Sequence, residues 1–231
     1  MKQRSLRDLV KAGTDADIVA NLTVCAARLR MASDGVPIEK FDDFVGISAQ
    51  RIAAYAASQL EAMPTSLRTD IEQFAWRTRN VFEAFLILLY TTSSALNAKE
   101  FVAQRIGDER SILQGIVSLA HGASGNIEPV RDRIKQCDTV LYRHGFSKAP
   151  PWRIDQLAKE VGLSDDYAVF YKLYSKYVHP SGWTIIAEAT EVNDATYWEA
   201  FIVNAQFYAN SCLGAIERLT SSRLSPGVQG G

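Results

Sequence analysis

Residues 81–90, VFEAFLILLY, are the most apolar run of the 231-residue chain, and their reading decides the fold. A membrane-spanning helix takes about 20 apolar residues, and this run is too short. Glu83 lies inside it, and the polar stretch Thr91 to Ser94 ends it. The segment therefore reads as a buried core helix, and integral membrane insertion is not expected.

The same helical periodicity extends outward on both sides, while alternating strand patterns are scarce. The core helix is expected to begin after Pro64, with Ser66 or Thr65 as its cap, and to run to Tyr90. Upstream, a helix over 16–31 places Ile18, Leu22, Cys25, Ala26 and Leu29 on one side. Pro37 then opens a second helical region to Met63, with Gly46 its candidate break. Downstream, helices fit 97–120 and 127–142, closing on His121-Gly122 and His144-Gly145. In both endings the histidine approaches free carbonyls and the glycine takes the left-handed conformation. The stretch SKAPPW is the one strong internal linker. A short helix over 153–161, a turn at Gly162-Leu163, and a helix with the acidic start Ser164-Asp165-Asp166 come next. The last long helix covers 193–219. The expected fold is all-α: a single bundle of about six to eight helices over residues 1–222, with a long C-terminal helix and a disordered tail at 223–231.

Apolar residues make up 47% and charged residues 22%, and the formal net charge is -1, so no global field draws nucleic acid. The segment IDQLAKEVGLSDDYAVFYKLY superficially resembles a helix-turn-helix. Its second helix carries Tyr167, Val169, Phe170, Tyr171, Leu173 and Tyr174, which is core surface, so no DNA partner is expected. Cys25, Cys137 and Cys212 are odd in number and lack any C-x-x-C pair, which suits core thiols in a reducing cytosol. The amino terminus has no continuous apolar segment, so no signal peptide is expected and the localisation expected is cytoplasmic.

Two stretches carry polar chemistry. On the helix that leads into YKLYSKYVHPSGW (171–183), Tyr167, Phe170, Tyr171, Tyr174 and Val178 form an apolar stripe. Lys172 and His179, seven apart, point almost the same way on a helix, with Ser175 beside them and Tyr171 and Tyr174 at the border. Pro180 puts His179 at the last turn; Ser181 and Gly182 turn the chain, and Trp183 is placed to fold back over the site. In WRTRNVFEAFLILLY (76–90), Arg79 and Glu83 share a face. A carboxylate in so apolar a run needs a partner, with Arg79 the immediate candidate and His179 or Lys172 the others. The structural account of these residues is an internal network joining two core helices; the functional one makes His179, Lys172, Glu83 and Arg79 catalytic, with Tyr171, Tyr174, Ser175 and Ser181 around the pocket. No metal ligand set, nucleotide loop or serine-hydrolase elbow occurs, so neither metal nor cofactor is expected.

These residues resemble a family of mainly bacterial helical proteins of unknown function. It pairs an arginine-and-glutamate pattern, here Arg79-Asn80-Val81-Phe82-Glu83, with a later tyrosine-rich helix ending in His-Pro-Ser. Here the later features are Tyr171, Ser175, Tyr177-Val178 and His179-Pro180-Ser181, and the resemblance covers roughly residues 70 to 215. It implies a helical fold and no particular activity. A looser similarity leads to the HEPN superfamily, helical bundles that include metal-independent ribonucleases of toxin and phage-defence systems. Their active motif is an arginine, a polar neighbour, four to six residues and a histidine, usually paired across a dimer. This chain departs from it: Lys172 stands at the matching distance from His179, Leu173 and Tyr174 at the shorter ones, and no arginine. Lysine supplies a point charge without the two-pronged grip on phosphate.

Two functions are compatible with these features. One is a noncatalytic interaction or regulatory protein with a closed Arg/Glu/His network and a protein partner or a second copy of itself. The other is a HEPN-like ribonuclease in which His179 works as acid or base and Lys172 stabilises the phosphorane, with RNA as partner. The sequence does not choose whether the protein is an enzyme.

Overall fold

Thr14 and Asp17 start the first helix, α1 (Asp15–Asp34), with a reciprocal capping box. The Asp17 amide donates to the Thr14 hydroxyl, and the Thr14 amide donates to the Asp17 carboxylate at 2.9 Å. The stripe Ile18, Leu22, Cys25, Ala26 and Leu29 is buried as its spacing requires. The computed structural model to which this helix belongs describes residues 9–40, 43–120, 126–146 and 152–224.

The second helix, α2 (Phe44–Ala62), does not open at Pro37. Asp43 caps it, accepting the Gly46 amide at 2.9 Å, and Arg223 from the far end of the chain grips the same carboxylate. Gly46 is therefore a first-turn residue and no break. A side chain there would collide with Asp43 and lie 2.8 Å from Arg223 Nη1. Pro37 stays outside the helix and gives its carbonyl to Arg223 at 2.8 Å.

A 3-10 turn, Met63–Thr65, leads into α3 (Ile71–Ser93). Its cap is Asp70, which accepts the Gln73 amide at 2.8 Å. Ser66 and Thr65 do not cap it; their hydroxyls donate backward to the carbonyls of Met63 and Ala62. Val81, Phe82, Ala84, Leu86 and Leu88 of the apolar run are all buried. The chain continues through α4 (Ala95–Leu119), α5 (Glu128–Arg143), α6 (Ile154–Glu160), α7 (Ser164–Val178), α8 (Gly182–Ile186), α9 (Ala189–Val192) and α10 (Ala195–Leu224). No strand occurs among the described residues, so the fold is an all-α bundle with a long C-terminal helix.

Helix α3 is central, packing on α2, α4, α6, α7 and α10, while α10 also covers α1 and α2. Helices α4 and α5 pair around a small separate core of Ala103, Ile106, Cys137 and Leu141. At the α5 end the glycine takes the expected left-handed conformation, while the His144 ring packs edge-on against Phe44 at 5.3 Å and its side chain makes no hydrogen bond to a carbonyl among the described residues. Gly145 has φ 79°, its amide donates to Tyr142, and the Phe146 amide donates to Leu141 at 2.9 Å. The junction of α6 and α7 repeats this geometry at Gly162 (φ 75°) and Leu163. His121-Gly122, most of the SKAPPW stretch and the tail beyond Leu224 lie outside the described residues. The last helix runs to Leu224, beyond its expected end at 219, because Arg223 is anchored on Asp43. The three cysteines are buried and free, and no described helix is long and apolar enough to cross a membrane.

Candidate functional site

Helix α7 is aromatic because it completes a cluster around Phe82 of α3. The rings of Tyr167, Phe170, Tyr174 and Tyr208 lie with centroids 4.6 to 6.4 Å from that of Phe82. Tyr174 is fully buried, and Tyr177 donates its hydroxyl to the Val192 carbonyl at 3.0 Å. Burial, with the Tyr171 hydroxyl and the Glu83 carboxylate near it, pushes the Tyr167 phenol up to about 12.

At His179 the helix stops. Pro180 disfavours helical backbone in the residue before it, and His179 is extended at φ −122°, ψ 146°. Ser181 caps α8, accepting the Thr184 amide, and donates its hydroxyl to the Lys176 carbonyl at 3.0 Å. This turn carries the imidazole across to α3, where Arg79 receives it. The guanidinium is held on three sides: Nε donates to Glu83 Oε1 at 2.7 Å, Nη1 lies 3.3 Å from His179 Nε2, and its carbon sits 5.3 Å from the Tyr171 ring centroid. Tyr171 in turn stacks on Tyr167 at 5.1 Å. The Arg79 and Glu83 side chains are only 18% and 21% exposed, while His179 is exposed.

Arginine can only donate, so where this contact is a hydrogen bond it is Nε2 that accepts. Glu83 balances the arginine charge. The assembled group is a clasp that ties the end of α7 to the middle of α3.

The remaining expected site residues separate from it. Lys172 is exposed, and its ammonium makes no hydrogen bond or ion pair among the described residues. The expected Lys172–His179 alignment fails because His179 has left the helical ladder. Ser175 donates to the Lys172 carbonyl at 3.0 Å, and Tyr174 lies in the core with no hydrogen-bond partner for its hydroxyl among the described residues. Trp183 packs on Tyr197, with centroids 5.7 Å apart, in place of shielding the histidine.

Glu83 also borders a half-open cavity of about 290 Å³. Arg51, Ile52 and Tyr55 of α2, Asn80, Ala84 and Ile87 of α3, and Phe101 of α4 complete its wall. Arg51, Tyr55 and Phe101 are not among the residues that sequence patterns single out. The signal available was an arginine and a tyrosine four apart on an otherwise alanine-rich stretch, RIAAYAAS. Burial, and then the Glu83 charge, raise the Tyr55 phenol, with Arg77 opposing.

Residues 66–195 match a family of unknown function (DUF5677), a span that includes Arg79, Glu83, Tyr171 and His179. The chain belongs to that family. No curated protein and no solved structure matches it. Within the family region the geometry brings together an arginine, a carboxylate and a histidine. Among the described residues no group of three or more histidine, cysteine or carboxylate side chains is arranged to hold a metal ion.

Proposed function

We propose that this DUF5677 member is a noncatalytic interaction or regulatory protein in which Arg79, Glu83 and His179 form an inter-helix clasp. The observation that carries the reading is that Arg79 is held from three sides. Its Nε, its Nη1 and its planar face each meet a partner within the chain. A general base needs a free lone pair, and the Nε2 lone pair of His179 is taken by the guanidinium. The clasp fixes how the α7–α8 turn sits on α3, and so shapes the surface offered to a protein partner or a second copy.

One observation favours a second reading, a HEPN-like ribonuclease: the imidazole is exposed and an arginine lies beside it. That arginine comes from α3, where the motif on α7 has Lys172. Under this reading His179 works as acid or base once the clasp opens, while Arg79 meets the phosphorane and Lys172 the RNA backbone.

Incubating the protein with single-stranded and hairpin RNA in chelator, beside a His179→Ala variant, separates the two. The expected result is no cleavage that distinguishes wild type from variant. Cleavage with cyclic phosphate ends that disappears in His179→Ala would overturn the noncatalytic reading.

A further inference from the structure

The cavity beside Glu83 is a feature that the clasp does not use. Its floor is apolar, formed by Ile52, Ala84, Ile87 and Phe101, and its polar groups are Arg51, Tyr55, Asn80 and Glu83. The charges on this wall are unequal. Glu83 is neutralised by Arg79 at 2.7 Å, while Arg51 has no ion-pair partner among the described residues. Ten other arginines of the described chain are in ion pairs. Arg77, Arg143 and Arg218 also lack an ion pair among the described residues, but none of them lines the cavity. One Asn80 amide hydrogen goes to Gln59 at 3.3 Å, which leaves the other and the amide oxygen for a ligand.

We infer that this cavity is a binding site for a small organic carboxylate with an apolar body. The carboxylate head meets Arg51, with the Tyr55 hydroxyl and the Asn80 amide as further donors. The apolar body lies against Ile52, Ala84, Ile87 and Phe101. A volume of about 290 Å³ is at the lower end of ligand pockets, which limits the occupant to a single ring or a short branched chain. With Glu83 paired to Arg79, the unpaired charge on the lining is that of Arg51, which disfavours an ammonium ligand. Arg51 is the one cationic side chain of the lining, which matches a monoanion better than a phosphate dianion. The inference goes beyond the function proposed above and is independent of what His179 does.

The test is titration of the full chain, followed by amide NMR shifts and calorimetry, with phenylacetate, phenethylamine and phenyl phosphate. Phenylacetate is expected to saturate, with shifts centred on Arg51, Tyr55 and Asn80, and to bind at least ~10-fold tighter than either of the others. Arg51→Met should weaken it by ~10-fold or more while leaving the circular dichroism unchanged, because Arg51 is exposed. Saturable phenylacetate binding that survives Arg51→Met would overturn the site. So would equal or tighter binding of phenethylamine or phenyl phosphate, or no saturation by phenylacetate.

Discussion

Replacing Arg79 by methionine keeps the apolar stem and deletes three contacts at once. The ion pair with Glu83 is neither surface nor core, at 18% and 21% exposure, and is worth about 1–2 kcal/mol, between the exposed and the buried cases. The guanidinium over Tyr171 adds about 0.5–1 kcal/mol and the hydrogen bond to His179 about 0.5–1 kcal/mol. These share one side chain and do not sum, so the expected loss is about 2–3 kcal/mol. For a chain of this size that lowers the melting temperature by about 5–10 °C.

His179→Ala removes only the imidazole, leaves Arg79 paired with Glu83, and should cost about 0.5–1 kcal/mol. Urea unfolding of the two single variants and the double variant, followed by circular dichroism, closes a mutant cycle. A clasp requires the double variant to lose less than the sum of the singles, by about 0.5 kcal/mol or more. Three results would refute the reasoning: an Arg79→Met loss below about 0.5 kcal/mol, a His179→Ala loss as large as that of Arg79→Met, or additive singles.

The caps yield two further expected outcomes. Asp43 is held down at about 2 from its ordinary 3.8, chiefly by hydrogen bonds from Arg223 and then by those of Gly46 and Glu39. A depressed carboxylate stabilises the fold above pH 3.8 and loses that contribution as pH falls through about 2, an effect of about 2 kcal/mol. Asp43→Asn should therefore be about 2 kcal/mol less stable at pH 7 and converge on wild type near pH 2 in denaturant melts; a constant difference across that window contradicts the assignment. At Gly162 (φ 75°) a side chain would meet nothing within 4 Å, so Gly162→Ala isolates the backbone cost of about 1 kcal/mol. A neutral or stabilising result in thermal melts would show that the left-handed turn before α7 is not required.

The helices were legible because each buries a stripe that its own spacing reveals, as Ile18 to Leu29 and Val81 to Leu88 do. Their starts were less so, for a reason visible at Asp43. Choosing Asp43 over Pro37 as the origin of α2 depends on Arg223, 180 residues away, which no local pattern contains. At α3 the hydroxyls of Thr65 and Ser66 looked like caps but were drawn to the carbonyls of the preceding turn, leaving Asp70 to do the capping. At α2 a distant contact accompanies the cap, and at α3 a local hydroxyl-to-carbonyl bond removes the nearer candidates.

At the candidate site the division is sharper. The Arg79–Glu83 pair was legible because four residues on a helix is a distance. His179 was legible as a remaining candidate partner for Glu83, yet it lands on Arg79. Lys172 was misplaced by the same rule that placed Arg79. Seven residues bring two side chains into line only while both belong to the helix, and Pro180 removes His179 from it one residue after Val178. The break that spoils the local Lys172–His179 alignment is what lets the imidazole cross to another helix. A proline-terminated aromatic helix therefore tells the reader to look for the partner of its last polar residue on the helix it packs against, here α3, and not one or two turns back along its own.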